Sequence, residues 1–522
     1  MSFNARLSLP TERIENMKKL SLLLALALVA ALLVPAALAA TSGNCGKYIT
    51  WKYTAGTGNN GYGATLTLTG FGDMYDYASK GAPWYSNAEK ITHIVINSTE
   101  YGIRSIGNYA FQSIYTSDIS PIPDTVTSIG DYAFYGNYAI QSVELPAGLT
   151  HLGEGAFYMC SGLRSIVIPD GIQAIGAHCF QQNTNLRTVT LPPNLKSIGD
   201  RAFAYCDSLT GLSLPASVTQ IDDVAFAYCK NLSAIEVASG NTFYTSVNGV
   251  LFNSDCTRLI CYPGGKPETG YVVPASVAEI APYAFTNTQY LESVTLPEGL
   301  TEIPQSAFAS SRSDGVGGCA LKSIHIPDSV TIIGNYAFGN STKLTELELP
   351  YGVTTIEISA FNGGGLTHIT IPPSTISIAS SAFAYCKDGL VIRAVAGSYA
   401  DSFAKSFYNS STSPHTIVVE YIFPYGGDRL VLPENLTAIE ESTFEGIDAS
   451  VVVIPDGVTI IGSRAFAACP NLKHVSVPDS VTRIVSDAFD GCGTVYLYGP
   501  EGGCAQDYTK NHGNINFIPL NP

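Results

Sequence analysis

The chain has 522 residues, of which 46% are hydrophobic and 13% charged, with 49 Gly and 29 Pro. So little charge excludes a disordered or coiled-coil chain. The net charge of −16 leaves no electrostatic footprint for nucleic acid or an anionic lipid surface.

Residues 1–16 are polar and unpatterned and read as an over-extended start ahead of Met17. Residues 17–40 read as a signal peptide: Lys18 and Lys19 precede an apolar run, and Ala37-Leu38-Ala39 forms a small-residue cleavage site. The 21 apolar-rich residues from Leu20 to Ala40 are also long enough to span a bilayer as an uncleaved anchor. The cleavage box and the polar stretch behind it favour removal. No later apolar run is long enough to span. The expected product is secreted or extracellular, cell-surface associated and monomeric.

Residues 41–90 are rich in alternating apolar positions and aromatics, including Trp51, Tyr53, Phe71, Tyr75, Tyr77, Trp84 and Tyr85, and read as a β-rich N-terminal cap. Gly56-Thr57-Gly58-Asn59-Asn60-Gly61 matches a nucleotide-binding fingerprint, which requires a helix next. The following ATLTLTG is a strand pattern, so the expectation is a hairpin loop.

Beyond residue 91 a period of 23 takes over. Phe recurs at Phe111, Phe134, Phe157, Phe180, Phe203 and Phe226, then at Phe285, Phe308, Phe338, Phe361 and Phe383, and finally at Phe444, Phe466 and Phe489. Pro keeps the same beat. A period of this length reads as a leucine-rich-repeat solenoid. In the unit LRSIVIPDGIQAIGAHCFQQNTN, Leu163, Ile166 and Ile168 face inward from a short strand and Ser165 and Val167 outward. Pro169 lacks an N–H and stops the ladder, Asp170-Gly171 turns the chain, and Phe180 is expected to plug the core from a short helical turn. One such unit cannot offset the entropy of ordering itself, so only a stack folds. The fold class is an α/β repeat, a solenoid of about 23-residue units with a parallel β-sheet face, the N-terminal cap and two small α/β caps.

No hydrolase elbow, metalloprotease, phosphate-loop or calcium-loop pattern occurs, and neither a metal nor a cofactor is expected. His325, His368 and His474 fall on outward strand positions of separated rungs and read as solvated or ladder-bonded. Glu144, Glu236, Glu346 and Glu348 share that face. Glu346 and Glu348 could pair as acid and base, but no pocket-building residues flank them and a solvated face is the simpler reading. Outward positions over the main array are mostly small hydroxyls and acids, with no Lys or Arg among them through His368 and Thr370. A ligand held there is expected to be a neutral or basic protein, at Glu144, Glu236, His325, Glu346, Glu348 and His368.

All twelve Cys follow the leader. Cys160, Cys206, Cys229, Cys386, Cys469 and Cys492 each stand three residues after a repeat Phe and read as buried free thiols. Asn137 and Asn183 hold the same place in other units, where an inward amide can bond the turn backbone. Cys206 with Cys229, on adjacent rungs, and Cys256 with Cys261, flanking one strand, are the two candidate pairs for a bridge. Tyr205, Tyr228 and Tyr385 recur two residues after the Phe on the outer side of the stack, and read either as a partly exposed stripe suited to protein contact or as a shield over the turns.

The phrases SIGDYAF, AFAYC, LRSIVIPDG and VTIIGSRAFAACPNL closely resemble the BspA-like leucine-rich repeats of bacterial surface proteins, over roughly residues 91–495. SGNCGKYITW, LTLTGFGDMYDY and APWYS resemble the module that precedes such arrays. ASGNTFYTSVNGVLFNSDCTRLICYPGG resembles their hairpin insert, and VIRAVAGSYADSFAKSF and VYLYGPEGGCAQDYTKN their array-ending caps. The division expected is a cap at 41–90, a main array at 91–390 with an insert at 238–272, a cap at 391–423, a short array at 424–494 and a last cap at 495–522. The resemblance implies a non-catalytic adhesion or binding protein with a protein ligand. The alternatives are a structural spacer at the cell surface and a glycan-binding protein.

Overall fold

A computed structural model describes residues 40–119, 121–311, 318–395, 398–408, 417–422, 429–433 and 436–520. The expected start and leader at 1–39 lie outside the described residues. Among those described, no helix is long and apolar enough to cross a membrane.

The chain opens with β1 (Ser42–Asn44), β2 (Gly46–Thr54), β3 (Ala64–Met74) and β4 (Ile91–Ile106), in that order across one sheet. β2 and β3 are antiparallel, and the glycine-rich segment 56–61 is the loop between them. β4 runs parallel to β3 and then pairs onward with the first repeat strands, so cap and array share one sheet. Inward alternation buries Ile49, Trp51, Leu66 and Leu68. Trp51 meets Trp84 edge-on at 5.4 Å, and the Trp84 indole N–H donates to the Ala110 carbonyl at 2.8 Å.

Each repeat then contributes one short strand to a parallel ladder, as in Ser165–Val167 beside Thr188–Thr190 and Gly211–Leu214 beside Ala234–Val237. A two-residue strand after the Pro turn builds a second ladder, as in Ala174–Ile175, Ser197–Ile198 and Gln220–Ile221. On the remaining side the structure differs from the expected helical turn. Phe180 sits between His178 at φ 57° and Gln182 at φ 60°, and the same left-handed flanks recur at Tyr132 and Gly136, and at Arg201 and Tyr205. This alternation turns the N–H groups toward the next rung: Phe134 donates to Ala156, Phe157 to Cys179 and Phe180 to Ala202. Left-handed residues cost roughly 1–2 kcal/mol each; here they complete a third rung-to-rung ladder instead of a helix.

The repeat phenylalanines form a column. Phe157 and Phe180 stack at 5.8 Å and 2°, Phe180 and Phe203 at 5.5 Å and 9°. The column is capped by Trp84 on Phe111 at 6.3 Å, and by Phe403 of α1 (Tyr399–Tyr408) on Phe383 at 6.0 Å. In the second array, Tyr508 of α2 (Cys504–Thr509) closes the Phe444–Phe466–Phe489 column at 5.8 Å. The gap between Phe226 and Phe285 is filled by an insert whose strands Tyr244–Val247 and Val250–Asn253 pair antiparallel through Asn248-Gly249, both at positive φ. The insert also supplies Tyr262, fully buried and stacked on Phe285 at 5.2 Å in place of a phenylalanine. Arg258 fastens it, with both guanidinium ends on Asp223 at 2.7 Å and Nε on Glu279 at 2.6 Å.

The Phe carbonyls take the backbone N–H three positions later, as Cys206 N–H to Phe203 at 3.2 Å, and side chains at that place on the next rung add a second donor. The thiols of Cys160, Cys206 and Cys229 donate to the carbonyls of Phe134, Phe180 and Phe203, each one rung back, at 3.1–3.2 Å. Asn183 Nδ2 reaches two carbonyls, Phe157 at 2.8 Å and Phe180 at 2.7 Å. Ser341 Oγ donates to Phe308 at 2.8 Å. All twelve cysteines are free, including the pairs Cys206/Cys229 and Cys256/Cys261. Burial pushes the Cys160 and Cys386 thiols up to about 12, which leaves them protonated donors. Asn183→Ala is expected to cost about 1–2 kcal/mol by removing two buried amide hydrogen bonds. Asn183→Cys should recover much of it, read as urea midpoints.

Candidate functional site

The outward strand positions flank inward apolar ones, so the core fixes them without using them. Leu347 and Ile369 are buried, while Glu346 and Glu348 point away and are exposed. Parallel pairing sets Glu346 opposite His368 and Glu348 opposite Thr370. Ser323–His325 packs beside Glu346–Glu348, so His325, Glu346, Glu348 and His368 line one open groove of about 600 Å3. His368 Nδ1 stands 4.0 Å from Glu346 Oε1 and 3.1 Å from Thr367 Oγ1.

The other two expected positions lie elsewhere. Glu144 belongs to a rung near the N-terminal end, and Glu236 pairs opposite Ser213. The insert and the strands Gly270–Val272 and Ser293–Thr295 separate Glu236 from the groove. Both are exposed and neither lines it.

Sequence reading missed Arg393. It lies on the cap strand Leu390–Ala394, directly opposite Thr370, and extends the groove with a cation. Its Nε bonds Glu420 Oε2 at 2.9 Å on the next strand, so the cation arrives already paired. A strand pattern was visible there, but its place one rung beyond the last repeat strand was not. Asp328 and Tyr351 join from the turns after the strands. Among the described residues no cluster of three or more His, Cys, Asp or Glu is arranged to hold a metal.

Of the two readings expected for His474, solvated or ladder-bonded, the structure shows the second, against the next strand. Its ring stacks on Tyr496 at 5.5 Å and its Nδ1 lies 3.1 Å from the Tyr498 hydroxyl. Burial, with Lys473 adding repulsion, lowers its pKa to about 4. The folded chain thus refuses a proton that the unfolded chain accepts below about 6.5. The resulting stability is full above pH 6.5 and is lost as the pH falls toward 4. About 1–3 kcal/mol is expected to disappear across that window. Melting wild type and His474→Gln at pH 7 and pH 4.5 checks it, with the smaller acid loss in the variant.

The tyrosine stripe is broken. Tyr228 is 8% exposed, stacked on Tyr205 at 4.7 Å and covered by Tyr283 from beyond the insert, whereas Tyr385 is 75% exposed. Tyr205 is half-buried.

A family model described as the BspA type leucine rich repeat region matches in six copies, over residues 81–181, 104–233, 153–257, 268–388, 313–423 and 399–501. Among solved structures, the chain is similar to a leucine rich cell surface protein from Faecalibacterium prausnitzii, with 25% identity, 69% of this chain and 96% of that one covered, and a TM-score of 0.56. It is also similar to a leucine-rich repeat protein from Eubacterium ventriosum, with 25% identity, 86% and 94% covered and a TM-score of 0.47. The pneumococcal vaccine antigen PcpA is 21% identical, with 72% and 98% covered and a TM-score of 0.46. No curated protein matches the chain in sequence.

Proposed function

The chain belongs to the BspA-type leucine-rich repeat family, and we propose that it is an exported, surface-associated binding protein that holds a protein ligand in the groove of His325, Glu346, Glu348 and His368. The observation that carries this reading is the register. The solenoid core fixes four polar, mostly exposed side chains on three consecutive rungs while none of them serves the fold. A rigid sheet presents such groups without an ordering cost at binding. The family and the similar Faecalibacterium cell surface protein support a surface role, and the leader pattern at residues 17–40 supports export.

The ligand surface is neutral or basic. Glu346, Glu348 and Asp328 supply negative charge, and Arg393, the one Lys or Arg in the groove among the described residues, is offset by Glu420. Opposite charge on the partner speeds encounter and fixes register, and salt weakens it. The test is a binding panel with the chain from residue 41 onward, against extracellular matrix proteins, mucin and cell-wall material. Saturable, salt-sensitive binding to one protein class is expected. Saturation by none of them would defeat the reading in favour of a spacer.

A further inference from the structure

A second set of exposed side chains stands one residue ahead of the outward strand pairs. On consecutive rungs these are Gln141, Arg164 and Arg187. The Arg164 N–H donates to the Gln141 carbonyl at 3.1 Å and the Arg187 N–H to the Arg164 carbonyl at 2.8 Å, so the three are stacked in register. Both arginines are exposed, and neither has an ion-pair partner among the described residues. Two guanidinium groups held on neighbouring rungs repel one another. In a chain of net charge −16, a paired carboxylate was the easy remedy, and none is there.

The arginines line an open groove of about 540 Å3. Tyr115 and Tyr138, 50% and 49% exposed, line it as well, and Gln141 and Asn185 supply amides. Among the described residues no carboxylate lines it, and the one aliphatic side chain in its lining is that of Ala139. Guanidinium forks match the two oxygens of a carboxylate or sulfate. Amides and hydroxyls suit sugar hydroxyls, and tyrosine ring faces suit the C–H face of a pyranose. An acidic peptide would want an apolar anchor pocket, which this lining lacks. We infer that this groove binds an acidic saccharide, its anionic group held by Arg164 and Arg187 and its ring laid against Tyr138 or Tyr115. The site is separate from the acidic groove of the proposed protein ligand and does not depend on it.

Titration of the chain from residue 41 onward with sialyllactose and with a sulfated heparin disaccharide tests the inference, with lactose and an oligoglutamate peptide beside them. Saturable, salt-sensitive binding of one or both acidic sugars is expected, and the arm that binds tells carboxylate from sulfate. Lactose should bind at least roughly tenfold more weakly. Arg164→Gln/Arg187→Gln should lose the sugar by about tenfold or more, with an unchanged melting temperature because both side chains are exposed. Arg164→Lys/Arg187→Lys should fall between, keeping charge without the fork. Tyr138→Ala should also weaken binding. Failure of both acidic sugars to saturate, equal binding of lactose, tighter binding of the peptide, or undiminished affinity in the Gln variant would overturn it.

Discussion

Phe180→Ala is expected to destabilise the main array by about 3–5 kcal/mol, the range for removing a fully buried phenylalanine. Phe180 has no exposed surface and contacts a ring on either side, Phe157 at 5.8 Å and Phe203 at 5.5 Å. Neither neighbour can close the gap, because each is held by its own ladder bonds to the next rung. In a solenoid, stability is the sum of rung and interface terms, so one truncation weakens two interfaces. A lower urea midpoint with a broadened transition is therefore expected, as the rungs on either side uncouple. Phe180→Leu should recover part of the loss. A cost under about 1 kcal/mol would mean that the column is not what joins the rungs.

The second large effect is on binding. Glu346→Lys/Glu348→Lys reverses two charges on one strand, and affinity for the protein ligand is expected to fall at least roughly 30-fold, about 2 kcal/mol. Melting should not change, since both side chains are exposed and the core residue between them, Leu347, is untouched. The salt sensitivity of binding should fall with the affinity, because the same acids provide both. The matching pair Glu144→Lys/Glu236→Lys, on rungs outside the groove, should leave affinity nearly unchanged.

Much of this molecule is legible because one side chain repeats. Phe every 23 residues, Pro on the same beat and small polar groups around them give the rungs, their inward and outward faces and the free thiols at Cys160, Cys206 and Cys229. The sequence pattern fails where a feature depends on residues outside the repeat. Tyr262 fills a phenylalanine place from inside the insert, so the column that restarts at Phe285 begins one ring earlier than the repeat signature shows. Arg393 joins the groove from a cap strand that carries no repeat signature. His474 has a strand pattern identical to that of His368, and only the cap's Tyr496 and Tyr498 bury it. The turn run around Phe180 fails for a different reason. The left-handed residues there include Gln182 and, around Phe203, Arg201 and Tyr205, types that carry no signal for positive φ. Only bonding to the next rung explains them.

The groove was half visible. Pairing across neighbouring strands could be read for Glu346 and His368, since both stand at the same place in successive units. Glu144 and Glu236 occupy similar places, and sequence gave no reason to leave them out. What removes them is distance along the stack, set by the insert.

Carboxyl footprinting read by mass spectrometry, on the chain alone and saturated with its protein ligand, tests the sheet-face site most directly. Labelling of Glu346 and Glu348 should drop sharply on binding while Glu144 and Glu236 label as before. Unchanged labelling of Glu346 and Glu348, with protection appearing instead at Glu154 beside the Tyr132 hydroxyl, would place the ligand on the opposite side of the solenoid and contradict the account.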